Sequence, residues 1–335
     1  MRISTSMMMK KYAEVLNNKY GDINKYANQI STTRAFSTAS ENPVAAMQTI
    51  KSCHEYTENQ QYQNNVSQAK SWIQATETTV TEINDILKAA KEKATEMLNG
   101  TNSADDYRNY AVAMMSYRDE IVSTLNTSFG GQYIFGGSTK GPAPFKLDDD
   151  GNLMYYDYNA PTPGYVNINT LTKTDVENMK VTSPIDIGIG LTKTGSTLDK
   201  NSYFERATSG LSVIISDYSG AGETAGNIVD NLTAIINALN SNNPDQLNNA
   251  LSNIQNAQDA VLKVKVELGE KTNMLKAVES RLTDNESNII NSLANSMEVD
   301  AVEAILNLNI SQVIYKESMS VASSILQQSL IDFLD

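Results

Sequence analysis

The sequence predicts a mainly α fold with an inserted β domain. A long antiparallel, coiled-coil-like helical rod is formed by the N- and C-terminal thirds, with a small antiparallel β domain at its tip. Three observations lead there. Fourteen of the 17 Gly lie between Gly130 and Gly226, and five of the seven Pro between Pro142 and Pro184; both residues interrupt helices and shape turns. The flanking thirds, nearly free of both, carry apolar repeats at helical spacing. Aromatic residues are 7% of a chain that is 40% hydrophobic, as seams built from Leu, Ile, Val and Ala require.

At the N-terminus, Met9, Tyr12, Leu16, Ile23, Tyr26 and Ile30 fit a heptad in which only Lys19 is out of place. Asn42 before Pro43 starts a second helix, since Asn caps and Pro is tolerated at the first helical position. From Tyr62 its apolar or small positions step by four and three: Val66, Ala69, Ile73, Thr76, Val80, Ile83, Leu87, Ala90, Ala94 and Met97. Such a seam packs one helix nearly parallel to another, and a helix from 43 to 98 is about 80 Å long at about 1.5 Å per residue. Asn99 and Gly100 break it, and Ser103 or Asp105 starts the next helix, whose stripe is Tyr107, Tyr110, Met114, Tyr117, Ile121 and Leu125. A short break between two seams implies an antiparallel hairpin.

The middle segments Leu153–Tyr158, Tyr165–Ile168, Ile185–Ile189 and Ser212–Ile215 are short and β-branched or aromatic, and read as strands. Asp148-Asp149-Asp150-Gly151 reads as a hairpin turn, and Gly130-Gly131 with Gly136-Gly137 as a hairpin leading from rod to β domain. Asn243-Pro244 opens the last third, where Leu247, Ile254, Val261, Leu268, Leu275, Leu282 and Ile289 are each seven residues apart. The natural partner for that repeat is the 62–97 seam, so the rod core is expected to hold Val66, Ile73, Val80, Ile83, Leu87 and these seven residues. Near the end, Ile305, Leu308, Tyr315, Met319, Ala322 and Leu326 form one stripe and Ile310, Ile314, Val321 and Ile325 another. A helix with two apolar faces needs more than one neighbour. The N-terminal helix covers one, and exposed apolar stripes of that length mark assembly surfaces. The expected assembly residues are Met9, Tyr12, Leu16, Ile23, Ile30, Ile305, Leu308, Ile310, Ile314, Tyr315, Met319, Val321, Ile325, Leu326 and Leu330.

Three domains are expected: terminal helices 1–40 plus 296–335, an assembly domain disordered in the monomer; a helical rod of 41–129 plus 227–295; and a variable β-rich domain of 130–226. The charge balance, 26 basic against 39 acidic residues for a net −13, repels phosphate backbones and anionic lipid, which argues against a nucleic-acid partner. Cys53 and His54, the sole Cys and His, are too few for a zinc site, and neighbours on a helix point about 100° apart, poor geometry for a nucleophile and its base. Asp148–Asp150 lacks the alternating ligands and distal Glu of a calcium loop. Gly188-Ile189-Gly190 lacks the third Gly of a phosphate loop and reads as strand or turn. No apolar run approaches the roughly 20 residues of a membrane-spanning helix, and residues 1–11 lack the apolar core of a secretory signal. These readings give no catalytic residue, cofactor or metal ligand.

Particular strings carry a resemblance. Residues 1–6 read MRISTS; Ile30-Ser31-Thr32 and Glu41-Asn42-Pro43-Val44-Ala45-Ala46 separate the first two helices; Phe129-Gly130-Gly131-Gln132-Tyr133-Ile134-Phe135-Gly136-Gly137 ends the first third; Glu267-Leu268-Gly269-Glu270 sits in the C-terminal seam; and residues 323–334 read SSILQQSLIDFL. Together they resemble the bacterial flagellin superfamily, within it the hook-associated protein 3 branch, over about 1–137 and 227–335. Filament flagellins usually carry an Ala-rich, Pro-lacking sequence at the second place, so the Asn-Pro-Val-Ala-Ala string is specific. Residues 32–34 depart from the pattern, reading Thr-Thr-Arg where the family commonly has Thr-Gly-Lys or Thr-Gly-Arg. The resemblance implies an extracellular structural subunit of the flagellum with no active site, joining hook to filament by polymerisation. It also implies self-assembly into a ring, with the first hook-associated protein and flagellin as neighbours, and passage through the flagellar type III export apparatus with an export chaperone. Two readings stand beside it: a filament flagellin of the same superfamily, and a coiled-coil effector or adhesin delivered by a type III apparatus.

Overall fold

The computed structural model describes residues 5–98, 103–137, 141–194, 197–199, 202–219 and 224–334. Long helices pack antiparallel, accompanied by small antiparallel sheets. In chain order the elements are α1 (Thr5–Thr32), α2 (Pro43–Leu98), α3 (Ala104–Leu125), β1 (Ser128–Phe129), β2 (Gln132–Tyr133), β3 (Phe145–Leu147), β4 (Leu153–Asp157), β5 (Gly164–Asn167), α4 (Lys173–Asn178), β6 (Pro184–Ile185), β7 (Lys193–Thr194), β8 (Thr197–Leu198), β9 (Phe204–Glu205), α5 (Gly210–Ile214), β10 (Ile215–Ser219), β11 (Thr224–Asn227), α6 (Ile228–Asn240), α7 (Pro244–Met297) and α8 (Ala301–Leu334). They form two compact units: a terminal unit of residues 1–60 and 283–335, and a central unit of residues 61–282.

Helix starts follow local chemistry. The Asn42 side chain accepts a hydrogen bond from the Ala45 amide at 3.1 Å, and that of Asn243 accepts from Asp245 and Gln246 at 3.1 and 3.2 Å. Each thereby satisfies amides that the first helical turn leaves free. At α3, Ser103 and Asp106 form a reciprocal capping box. The expected break at Asn99-Gly100 falls outside the described residues.

In the central unit, Val66, Ile73, Val80, Ile83 and Leu87 of α2 and Leu247, Ile254, Val261, Leu268, Leu275 and Leu282 of α7 are all buried. Cross-links at the edges of this seam give its direction: Lys70 pairs with Glu279 at 2.9 Å, and Lys91 Nζ donates to Gln255 Oε1. The α7 partner number falls as the α2 number rises, so the helices are antiparallel. Met114, Ile121 and Leu125 of α3 and Leu232, Ile235 and Leu239 of α6 are buried in the same core. Tyr107, Tyr110 and Tyr117, the rest of the α3 stripe, are half-buried against it.

Sheet elements attach through specific groups. Asn126, at the end of α3, donates from Nδ2 to the Phe145 carbonyl at 2.8 Å and accepts from the Phe145 amide at 3.0 Å. It binds β3 as a strand would. The β1–β2 hairpin turns at Gly130 and Gly131, with φ of 61° and 78°, the left-handed pair that a two-residue hairpin requires. β3, β4 and β5 form an antiparallel sheet. In the turn between β3 and β4, Asp148 Oδ1 accepts from the amides of Asp150 and Asn152 at 3.0 and 2.7 Å. The inner face of β4 buries Leu153 and Tyr155 against Phe145, with the Phe145 and Tyr155 rings 5.2 Å apart.

Two expected strands differ. Residues 212–214 lie in the short helix α5, and only Ile215 begins a strand. Leu211, Val213 and Ile214 are all fully buried. Exposed Ser212 stands between buried Leu211 and Val213, an alternation that imitates a strand, and five residues are too few to show a helical period. The helix approaches the core closely because Gly210 has no side chain: a Cβ there would stand 2.6 Å from the Phe145 ring. Of Ile185–Ile189, only Ile185 is paired, in β6 against β9. The chain then leaves the sheet through Gly188 and Gly190, at φ of 75° and 90°.

Candidate assembly surface

The terminal unit is built differently along its two helix pairs. Where α2 meets α7 here, polar side chains pair across the two helices: Thr49 with Ser296 at 3.2 Å, Ser52 with Ser292 at 3.2 Å, Asn59 with Asn285 at 3.3 Å, and Gln60 with Glu286 at 2.7 Å. Ser52 and Asn59 are almost wholly buried, and Ile289 is the buried heptad residue of α7 at this end. Satisfied polar layers of this kind fix register while adding little net stability.

α1 and α8 pack against each other. At one end, the Ala35 amide donates to the Met297 carbonyl at 2.8 Å and the Val299 amide to the Thr33 carbonyl at 3.1 Å. Further along, the Tyr20 and Tyr315 rings lie 6.3 Å apart, so this pair is antiparallel too. Thr33 has φ of 56°, the left-handed region that β-branched residues avoid. This is the position where the family pattern reads Gly. Its neighbour loop is held by Glu41, whose carboxylate accepts from the Ser37 amide, the Ser37 hydroxyl and the Thr38 hydroxyl at 2.9–3.1 Å. Those bonds draw the carboxyl below its ordinary pKa.

The structure divides the sequence-selected residues. Tyr12, Leu16, Ile23, Tyr26 and Ile30 of α1 are half-buried, and so is Lys19, whose ammonium reaches Asp22 at 2.8 Å. On α8, the row facing inward is Ala304, Leu308, Ser311, Tyr315, Ser318 and Ala322; Ala304 and Ser311 are buried and the others half-buried. Leu308, Tyr315 and Ala322, from the first stripe, are thus on the half-buried side of α8. Ile305 and Met319, from the same stripe, are exposed, as are Ile310, Ile314 and Val321 of the second. The side chains of Met9, Ile325, Leu326 and Leu330 lie outside the described residues.

Three further exposed residues were absent from the sequence-selected set: Val302, Leu306 and Val313, at 78%, 57% and 59% exposure. The signal for them is that α8 has no segregated polar face: its apolar residues are spread around the circumference, with polar ones such as Glu303, Gln312 and Lys316 among them. α8 thus offers its small side chains to α1 and most of its large apolar ones to solvent. Val44, Met47 and Ile50 on the first turns of α2 are exposed as well.

Elsewhere, Cys53 is exposed and His54 stands 3.5 Å from Glu58 on the same helix face. Among the described residues no group of three His, Cys, Asp or Glu is placed to hold a metal, and no helix is long and apolar enough to cross a membrane.

The family model of the bacterial flagellin N-terminal helical region matches residues 3–140. Flagellar hook-associated protein 3 of Escherichia coli (strain K12) is 25% identical over 326 residues, which is 96% of this chain and 95% of that protein. The protein of the same name from Salmonella typhimurium (strain LT2) is 30% identical over 146 residues, 43% of this chain and 46% of its own length. In fold, the flagellar junction protein FlgL from Legionella pneumophila aligns with a TM-score of 0.54 and 16% identity, over 75% of this chain and 100% of that one. These likenesses converge: the chain is similar to bacterial flagellin in its N-terminal helical region and, along nearly its whole length, to flagellar hook-associated protein 3, which supports a structural role in the bacterial flagellum.

Proposed function

We propose that this chain joins hook to filament, acting by helical polymerisation with neighbouring axial proteins and not as an enzyme. The observation that carries the reading is the outward row of large apolar side chains on α8, Val302, Leu306 and Val313 among them. Burial of such surface is worth about 25 cal/mol per Å², while ordering terminal segments opposes it by about 1–2 kcal/mol per residue. Assembly is then favourable chiefly on a preformed template that supplies several neighbours at once.

In this reading residues 1–40 and 296–335 are the assembly domain and become fully ordered only in the joint. Residues 41–129 with 227–295 are the rod, and 130–226 a variable domain facing outward. The copies form a ring between the first hook-associated protein and flagellin. They reach it through the flagellar type III export apparatus, with an export chaperone covering the terminal helices on the way. A strain lacking the chain tests this against the filament-flagellin reading. Loss of a junction protein releases flagellin monomers into the medium and leaves hooks intact; loss of a flagellin leaves none to release. Normal flagella in the deletion strain would overturn both and favour an exported effector or adhesin.

A further inference from the structure

In the central unit, the two flanks of α2 carry complementary surfaces. On the α3 flank an open groove of about 760 Å³ has a floor of Ile86, Ala89 and Tyr117 and a rim that includes Glu77, Glu82, Asp85 and Glu120. None of these four carboxylates forms an ion pair with a described residue. On the α7 flank, Leu262 is 44% exposed and lines a cleft of about 550 Å³ with Lys88 and Lys91, Glu92 being the one acidic group there. Lys265 continues the α7 row of Gln255, Gln258 and Leu262 at alternating three- and four-residue spacing. Lys88 and Lys265 likewise have no carboxylate partner among the described residues.

We propose that the face of one copy carrying exposed Leu262 packs over the α2–α3 groove of a second copy, its lysines meeting the carboxylate rim. Both surfaces set apolar area beside charged side chains, the groove around Ile86, Ala89 and Tyr117 and the other face around Leu262. Their charges are opposite, so the pairing is favoured over groove against groove, where like charges repel. The two patches are different parts of one chain. Contact between them is therefore heterologous, and repetition generates a ring or a helix instead of a closed dimer. Leaving four carboxylates together on one groove raises their mutual repulsion in the free chain, and an incoming lysine border relieves it. The inference rests on the assembly reading above but uses a surface separate from the terminal helices.

The test uses full-length chain carrying Cys53→Ser, expressed in the deletion strain, with hook–filament particles purified and oxidised. E82C combined with K88C should give a ladder of dimers and higher bands, absent from either single variant. An internal disulfide is excluded because positions six apart on a helix are about 9 Å apart, beyond disulfide reach. In parallel, E82K/D85K and K88E/K91E should each shrink the swimming zone, and the four changes together should restore it. Particles that contain the chain but give no ladder overturn the proposal, as does a ladder equally strong in one single variant. A cross-link from E82C to a different axial protein, or a combined variant as defective as its parents, also overturns it. Absence of the Cys53→Ser chain from the particles defeats the assembly reading itself, a separate result.

Discussion

Thr33 sits at φ 56° between two backbone hydrogen bonds that tie the end of α1 to the segment before α8. A left-handed β-branched residue costs about 1–2 kcal/mol, and Gly returns about 0.5–1 kcal/mol of that through its greater unfolded-state freedom. Thr33→Gly should therefore stabilise the junction by about 0.5–1 kcal/mol. Hydrogen exchange at the Ala35 and Val299 amides is the check: two- to fivefold slower exchange agrees, and faster exchange refutes the strain argument. Asp230 supplies a pH-dependent counterpart. Burial pushes its carboxyl above the ordinary range, against the opposing hydrogen bonds from Asn169 and Asn227. A raised folded-state pKa means that stability is fully present below the unfolded pKa of about 3.8 and falls as pH rises through the folded value. Asp230→Asn should then raise the Tm at pH 7, and the gain should vanish below about pH 4. A gain that grows on acidification would contradict the assignment.

At the scale of elements, the α2–α7 seam was the most legible feature of the sequence. Leu247 to Leu282 at sevenfold spacing leaves one helical solution, and every member is buried in the central unit. Leu275, with no exposed surface, should show this energetically: Leu275→Ala should cost about 2–5 kcal/mol, and Leu275→Asp should unfold the central unit by burying an unpaired charge. Leu262→Ala, on the same helix but outward, should stay within about 0.5 kcal/mol. Chemical denaturation of the three variants decides. Equal effects at 262 and 275 would mean that the seam is misassigned.

What the sequence did not disclose has physical causes. Ser52 and Asn59 are buried but polar, so the α2–α7 contact of the terminal unit has a thin hydrophobic signature, carried by Ala46 and Ile289 among the described residues. α5 is too short to show a helical period, and its exposed Ser212 between buried Leu211 and Val213 imitates strand alternation. On α8 a reading by hydrophobicity ranks large residues as inner ones, whereas Ala304 and Ser311 occupy the inner face because small side chains allow close helix approach. The candidate site was thus legible as a helix, and only in part as a face of that helix.

For the whole molecule, folding and assembly draw on different residues. The central unit buries its heptad leucines, while α8 leaves Val302, Leu306 and Val313 in water. Leu306→Asp with Val313→Asp should accordingly leave monomer stability within about 0.5 kcal/mol yet abolish incorporation into flagella. Thermal unfolding together with immunoblots of purified filaments reads both halves, and a variant that unfolds would place these residues in the core instead. The central claim is that this apolar face is completed by neighbouring subunits. Cryo-electron microscopy of the assembled hook–filament joint tests it most directly. The account requires the chain at the joint with Val302, Leu306 and Val313 packed against adjacent subunits. A joint that lacks the chain, or contains it with that face open to solvent, would contradict the account.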